Sequence, residues 1–420
     1  MDRSAEVICV GTELLLGDIL NSNAQYLAQQ LATLGIPHYY QTVVGDNPQR
    51  LKEAIAIASE RSQLLIFTGG LGPTPDDLTT ETLADFFGEP LVERPEIIAD
   101  ITEKFAHRGW NVTPSNRKQA LAPVSSQILS NPLGSAPGII WQPQPDLTIL
   151  TFPGVPREMH AMWEQVATPY LQASGWVQQT IYSRTLRHWG VSESALADRV
   201  QEFFDLKNPT VAPYASKGEV RLRISAKAPS EAEALALIAP VEQQLRQRIS
   251  DDCFGTDDDT LSSVVGQLLR QHQHTIAVAE SCTGGGLGQA LTAIPGSSSY
   301  FGGGVIAYSN AVKETLLNVS APDLAEHGAV SHPVAQQMAL GVRDRLGTTW
   351  GISITGIAGP EGGTETKPVG LVYIGLAGPH GYIASQDYRF AAYRGREWVR
   401  WLSICTALDQ LRRQYPNVLR

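Results

Sequence analysis

Ala279-Glu280-Ser281-Cys282-Thr283-Gly284-Gly285-Gly286 sets a serine, a cysteine and a threonine where an apolar run ends and a helical pattern begins. A buried strand that stops at small polar residues exposes a hydroxyl or a thiol. The helix start that follows aims unpaired backbone N–H groups at one point, a place to hold a phosphate or a developing oxyanion. Ser281 attacks a carbonyl only if a nearby base takes its proton, whereas a thiol at a helix N-terminus, Cys282, has a lowered pKa and would act through a thioester. A helix cap at Ser281 or Thr283 with a tight glycine turn would need the same residues. Spacing alone leaves serine and cysteine level.

Two further segments of this half carry polar groups: Ala307-Tyr308-Ser309-Asn310-Ala311-Val312-Lys313, and the glycine-rich stretch from Ile354-Thr355-Gly356 through Gly359 to Lys367-Pro368-Val369-Gly370. So little side-chain bulk lets backbone approach a ligand, although glycines also serve plain turns. In the other half, Phe67-Thr68-Gly69-Gly70-Leu71-Gly72-Pro73 follows a strand pattern, so its glycines fall at the carboxyl edge of a sheet, where α/β proteins bind ligands. The Gly-Lys-Ser/Thr ending of a P-loop is absent. Asp76 and Asp77, with Asp46, could hold a divalent cation, Mg2+ or a transition metal, against a phosphate; acids at a helix start also simply favour its dipole.

Strands at 6–10, 39–44 and 64–67 alternate with helices at 21–34 and 48–59, which predicts an α/β domain with a mostly parallel sheet, residues 1–172. Residues 178–250 read as a small α+β module. The acidic run Asp251-Asp252-Cys253-Phe254-Gly255-Thr256-Asp257-Asp258-Asp259 reads as a solvated linker, 251–260, before a second α/β domain at 261–415. At 420 residues the chain is expected to form several domains, each folding on its own. Four dispersed cysteines predict reduced thiols. A net charge of -10, no long apolar run and no signal-peptide pattern predict a soluble, cytoplasmic protein with small-molecule substrates and neither membrane nor nucleic-acid partners.

The Ala-Glu-Ser-Cys-Thr-Gly-Gly, Tyr-Ser-Asn-x-x-Lys and Thr-Gly-Ile-Ala-Gly-Pro-x-Gly-Gly-Thr-x-x-Lys-Pro-Val-Gly segments look like those of the CinA family, in which this domain is a nicotinamide-nucleotide amidase. The resemblance implies Ser281 as nucleophile, Lys313 as a base that must be neutral, and Tyr308 and Thr355 in support, with no cofactor. It favours Ser281 over Cys282, and implies substrate contacts from Thr283, Gly284, Gly285 and Gly359. The phosphate of nicotinamide mononucleotide would need a cation, for which Lys367, Arg394 and Arg396 are candidates. Gly11-Thr12-Glu13-Leu14-Leu15-Leu16-Gly17-Asp18, the Thr68 to Thr79 segment, Asn131-Pro132-Leu133-Gly134-Ser135 and Phe152-Pro153-Gly154-Val155-Pro156 resemble the family's N-terminal domain, similar to molybdopterin-binding proteins. That implies metal-dependent ADP-ribose pyrophosphatase activity, K+ being a second cation to consider, with Thr68, Gly69, Gly70, Gly134 and Ser135 at the nucleotide and Asp46, Asp76 or Asp77 at the metal.

The middle module is similar to the family's KH-like domain. It lacks a Gly-x-x-Gly clamp and has ten Lys/Arg against eight Asp/Glu between 184 and 250, so a spacer or dimerisation role is expected. The family also implies a homo-oligomer, expected as a dimer. The competing classes are a non-catalytic regulatory protein linked to competence or DNA damage, and a molybdopterin-related binding protein.

Overall fold

The computed structural model describes residues 3–107, 109–177 and 180–415. The chain divides into two compact units, Met1–Tyr182 with Lys227–Leu235, and Ser183–Ala226 with Ala236–Arg420.

The first unit is built on a six-stranded sheet ordered His38–Val44, Ala5–Val10, Leu64–Thr68, Leu147–Phe152, Gly138–Gln144, Gln127–Leu129. The first four strands are parallel and the last two antiparallel. Helices cover both faces, which is why Ala5–Val10 and Leu64–Thr68 are buried along their whole length instead of alternating. Asn21 and Asn47 cap the helices Ser22–Thr33 and Pro48–Arg61 by accepting from Ala24 N and Arg50 N. The predicted parallel sheet is found; the two strands at its antiparallel edge carried no separate signal.

The KH-like module is a four-stranded sheet, Thr210–Ser216, Glu219–Ala228, Thr180–Trp189, Cys253–Thr256, with the helices Glu193–Arg199 and Glu231–Ile249. Cys253–Thr256 corrects the linker reading. This piece of the acidic run pairs antiparallel with Thr180–Trp189, and Cys253 and Phe254 are buried. The acids face out around two apolar side chains, and a composition average hides such a two-residue core contribution. Phe254 and Trp189 pack in one hydrophobic cluster with Val264, Leu268, Leu287 and Leu408 of the C-terminal domain. The module and that domain therefore share a core, which replaces the expectation of separately folding pieces.

The C-terminal domain carries a five-stranded sheet ordered Phe301–Ile306, Ile276–Glu280, Trp350–Gly356, Leu371–Ala377, Ile383–Arg389, parallel among the first three and antiparallel beyond. The helices Leu261–Gln271 and Arg396–Arg412 contribute to one core cluster and His332–Leu346 to the other.

Candidate active site and ligand cavity

The strand Ile276–Glu280 is wholly buried and ends at Ser281, whose N–H donates to Ile354 O of the neighbouring strand at 2.9 Å. The chain then turns through Cys282 to Gly285 into the short helix Gly286–Thr292. Glu280, itself buried, fixes this turn: its carboxylate accepts from the N–H groups of Gly285 (3.1 Å), Leu287 (3.0 Å) and Gly288 (2.8 Å). Gly284 N and Gly286 N donate to Ser281 O and Thr283 O, both at 3.1 Å. The amides of Gly284 to Gly286, at the helix start where the sequence predicts free N–H groups, are thus consumed inside the turn. The Thr283 amide has no acceptor among the described residues. Thr283 Oγ1 is also buried and unpartnered.

Lys313 arrives from the next connection. Ser309 caps the helix Asn310–Leu317, and one turn inside it Lys313 is 1% exposed, with its ammonium 3.4 Å from Ser281 Oγ. Nζ also donates to Ala307 O at 2.7 Å and Tyr308 O at 3.3 Å. No carboxylate pairs with it among the described residues, and burial pushes its pKa below the usual lysine range. A lysine losing its charge beside a serine hydroxyl is the arrangement that turns serine into a nucleophile. Cys282, six per cent exposed and part of the hydrophobic cluster, goes the other way: burial pushes its thiol up to about 11, which overrides the helix-start effect expected from sequence.

Thr355 is buried on the adjacent strand and its hydroxyl donates to Ala329 O at 2.8 Å. Tyr308 is exposed and contributes its carbonyl to Lys313. The expected phosphate cations are dispersed. Lys367 Nζ donates to His327 O and Val330 O, Arg396 Nη1 donates to Gly359 O at 2.8 Å, and Arg394 lies over the Trp398 ring. An arginine that bonds directly to the Ser281 turn is one that sequence reading passed over. Arg400 Nη2 donates to Thr283 O at 2.9 Å, its Nη1 pairs with Glu397, and its buried Nε has no partner among the described residues. Its only signal was position, one helical turn beyond Arg396 on the same face.

The first unit has a cavity of about 530 Å³ at the carboxyl ends of its parallel strands. Thr68, Gly69, Gly70, Ser135, Asp46, Asp76 and Asp77 all line it, and Gly134 stands one residue back. Gly69 has φ 103°, and a Cβ there would lie 2.0 Å from Val10 O, so no other residue fits the strand end. Thr68 Oγ1 donates to Pro153 O and accepts from Asn23, a lining residue not foreseen. The carboxylates do not converge: Asp46 accepts from Thr12 N and Oγ1, both at 2.8 Å, and Asp77 from Thr74 N and Oγ1. No group of three His, Cys, Asp or Glu side chains among the described residues is arranged to hold a metal ion.

Residues 258–415 match the CinA C-terminal domain, 6–173 a probable molybdopterin binding domain, and 183–255 the damage-inducible protein CinA KH domain. A CinA-like protein of Cyanothece sp. is 68% identical over 99% of both chains, and one of Nostoc punctiforme is 66% identical over 98% of this chain and 99% of its own. The chain belongs to the CinA family. Among solved structures, the competence/damage inducible protein CihA from Agrobacterium tumefaciens is 36% identical, covering 36% of this chain and 91% of its own, with a TM-score of 0.35. No helix among the described residues of this CinA protein is long and apolar enough to cross a membrane.

Proposed function

We propose that the C-terminal domain is a serine–lysine amidase that converts nicotinamide mononucleotide to nicotinate mononucleotide and ammonia. The observation that carries the reading is the buried Lys313 amine 3.4 Å from Ser281 Oγ, with no carboxylate to keep it charged. In the neutral form Lys313 takes the serine proton as Oγ bonds to the carboxamide carbon. The Cys282 and Thr283 amides, neither with an acceptor among the described residues, are the turn's remaining donors for the tetrahedral oxyanion. Lys313 then returns the proton to the amide nitrogen, the C–N bond breaks, and ammonia leaves an acyl-serine that water cleaves to the carboxylate. The test is ammonia release by the full chain beside Ser281→Ala, Lys313→Ala and Cys282→Ala. Activity in the parent and Cys282→Ala alone supports the serine–lysine pair; a folded but silent parent removes the amidase.

The cavity of the first unit favours a second activity on a nucleotide, for which we propose ADP-ribose pyrophosphate cleavage. Its support is a volume of about 530 Å³ lined by backbone-rich glycine turns and three aspartates. Because the aspartates do not form a ligand set by themselves, no step is assigned to a metal. Hydrolysis of ADP-ribose measured with and without added Mg2+, Co2+ and K+ decides the activity and its cation. We propose nucleotides as the ligands of both sites, and a homodimer, which light scattering tests.

A further inference from the structure

The KH-like module meets the C-terminal domain at the helix Arg396–Arg412, and that helix meets the Ser281 turn. The turn between strands Thr210–Ser216 and Glu219–Ala228 places Lys217 O 2.9 Å from Trp401 Nε1. Gly218, at φ 83°, lies so close that a Cβ would come within 2.7 Å of Leu402 and 3.1 Å of Trp189. At the far end of the helix, Arg412 Nη2 donates to Asp251 O at 2.6 Å and Arg413 pairs with Asp252. One residue before Trp401, Arg400 donates to Thr283 O, two residues from the nucleophile. Neighbouring residues of a helix point about 100° apart, so one rigid rod takes the hairpin on one side and the nucleophile turn on the other.

We infer that the KH-like module is a brace for the amidase site: its hairpin fixes the last helix through Trp401 and Gly218, and the helix fixes the Ser281 turn through Arg400. Trp401 and Arg400 are positioning residues. The shared core of Trp189 and Phe254 with the C-terminal domain gives the brace its stiffness. As far as it concerns catalysis, the inference rests on the amidase reading.

Trp401→Phe keeps the ring and removes the N–H donor; Arg400→Lys keeps the charge and removes the planar fork that reaches Thr283 O. Both are to be made in the full chain, with thermal unfolding in parallel to select folded protein. Hydrogen exchange of residues 279–288 is expected to speed up severalfold in both variants. With nicotinamide mononucleotide, kcat is expected to fall about fivefold for loss of one hydrogen bond, with KM within about twofold. Unchanged exchange at 279–288 in both variants overturns the brace. A raised KM at constant kcat in Arg400→Lys overturns the positioning role and makes this arginine a substrate ligand. Should the parent release no ammonia, only the amidase reading falls, and the exchange result still decides the brace.

Discussion

The Ser281 turn and the cavity of the first unit stand at the same place in two α/β sheets, the carboxyl edge of parallel strands, yet they present opposite kinds of order. In the C-terminal domain the groups are already assembled: the Ser281 turn, held by the Glu280 carboxylate and Arg400, carries a hydroxyl and two open amides, and the next helix brings a desolvated amine to it. The cavity offers about 530 Å³ and three aspartates, but Asp46 and Asp77 are each satisfied by a neighbouring threonine. Pre-assembly suits acyl transfer, where a protein nucleophile must be aimed at a small carbonyl. A roomy site whose carboxylates are occupied locally suits a ligand that brings its own charge. The difference also separates two buried polar groups: the Glu280 carboxylate accepts from three N–H donors, whereas Lys313 has no carboxylate partner among the described residues and burial lowers its pKa.

The largest expected effects would break this comparison outright. Ser281→Ala and Lys313→Ala should each lower ammonia release by roughly 10^3-fold or more, while ADP-ribose hydrolysis stays unchanged. Asp77→Asn, in the lining of the cavity, should do the reverse, lowering ADP-ribose hydrolysis and sparing deamidation. Equal losses of both activities in either variant would show that the sites are not independent.

The pH dependence sharpens the contrast. The proposed amidase requires neutral Lys313, so kcat/KM should rise with pH through the pKa of this lysine, at a lower pH than an ordinary lysine would give. An activity that rises only in the ordinary lysine range, and no earlier, would remove Lys313 as the base. His188 of the KH-like sheet is fully buried, and burial pushes its pKa down to about 4 from the usual 6.5. Its folded form binds the proton less readily than the unfolded form, so the unfolded state gains protons first as pH falls. Stability is therefore full above about pH 6.5 and is lost on acidification through the window from 6.5 to 4, by about 3 kcal/mol at 1.36 kcal/mol per pH unit. Because the module and the C-terminal domain share a core, both should lose stability together across that window, and His188→Gln should shrink the slope. Smallest of all, Cys282→Ala should leave ammonia release within a few-fold of the parent, since the thiol is protonated at neutral pH.

Much of this was legible in the residues themselves. The alternating strand and helix patterns located both sheets, and the strand-to-turn transition at Glu280-Ser281 marked the site before any contact was known. Lys313 required the resemblance, because 32 residues separate it from Ser281 and no local pattern joins them. Glu280 and Arg400 were missed because their work is to satisfy backbone groups of the turn, and backbone groups have no sequence signature. Phe254 was missed because three acids follow within five residues, and averaged polarity outweighed one buried ring.

The sequence by itself determined which residue types were present to do chemistry, which strands would be buried on both faces, and that glycines would crowd the strand ends. Only the tertiary structure decided that the Lys313 amine stands beside Ser281 while burial raises the Cys282 thiol, which amides of the turn remain open, that Arg400 bonds to the turn, and that the acidic run adds a strand to a sheet. The physical reason is range. Strand and helix periodicity, caps and turns are set by neighbours along the chain, whereas desolvation and hydrogen-bond satisfaction depend on segments brought together from tens to more than a hundred residues apart.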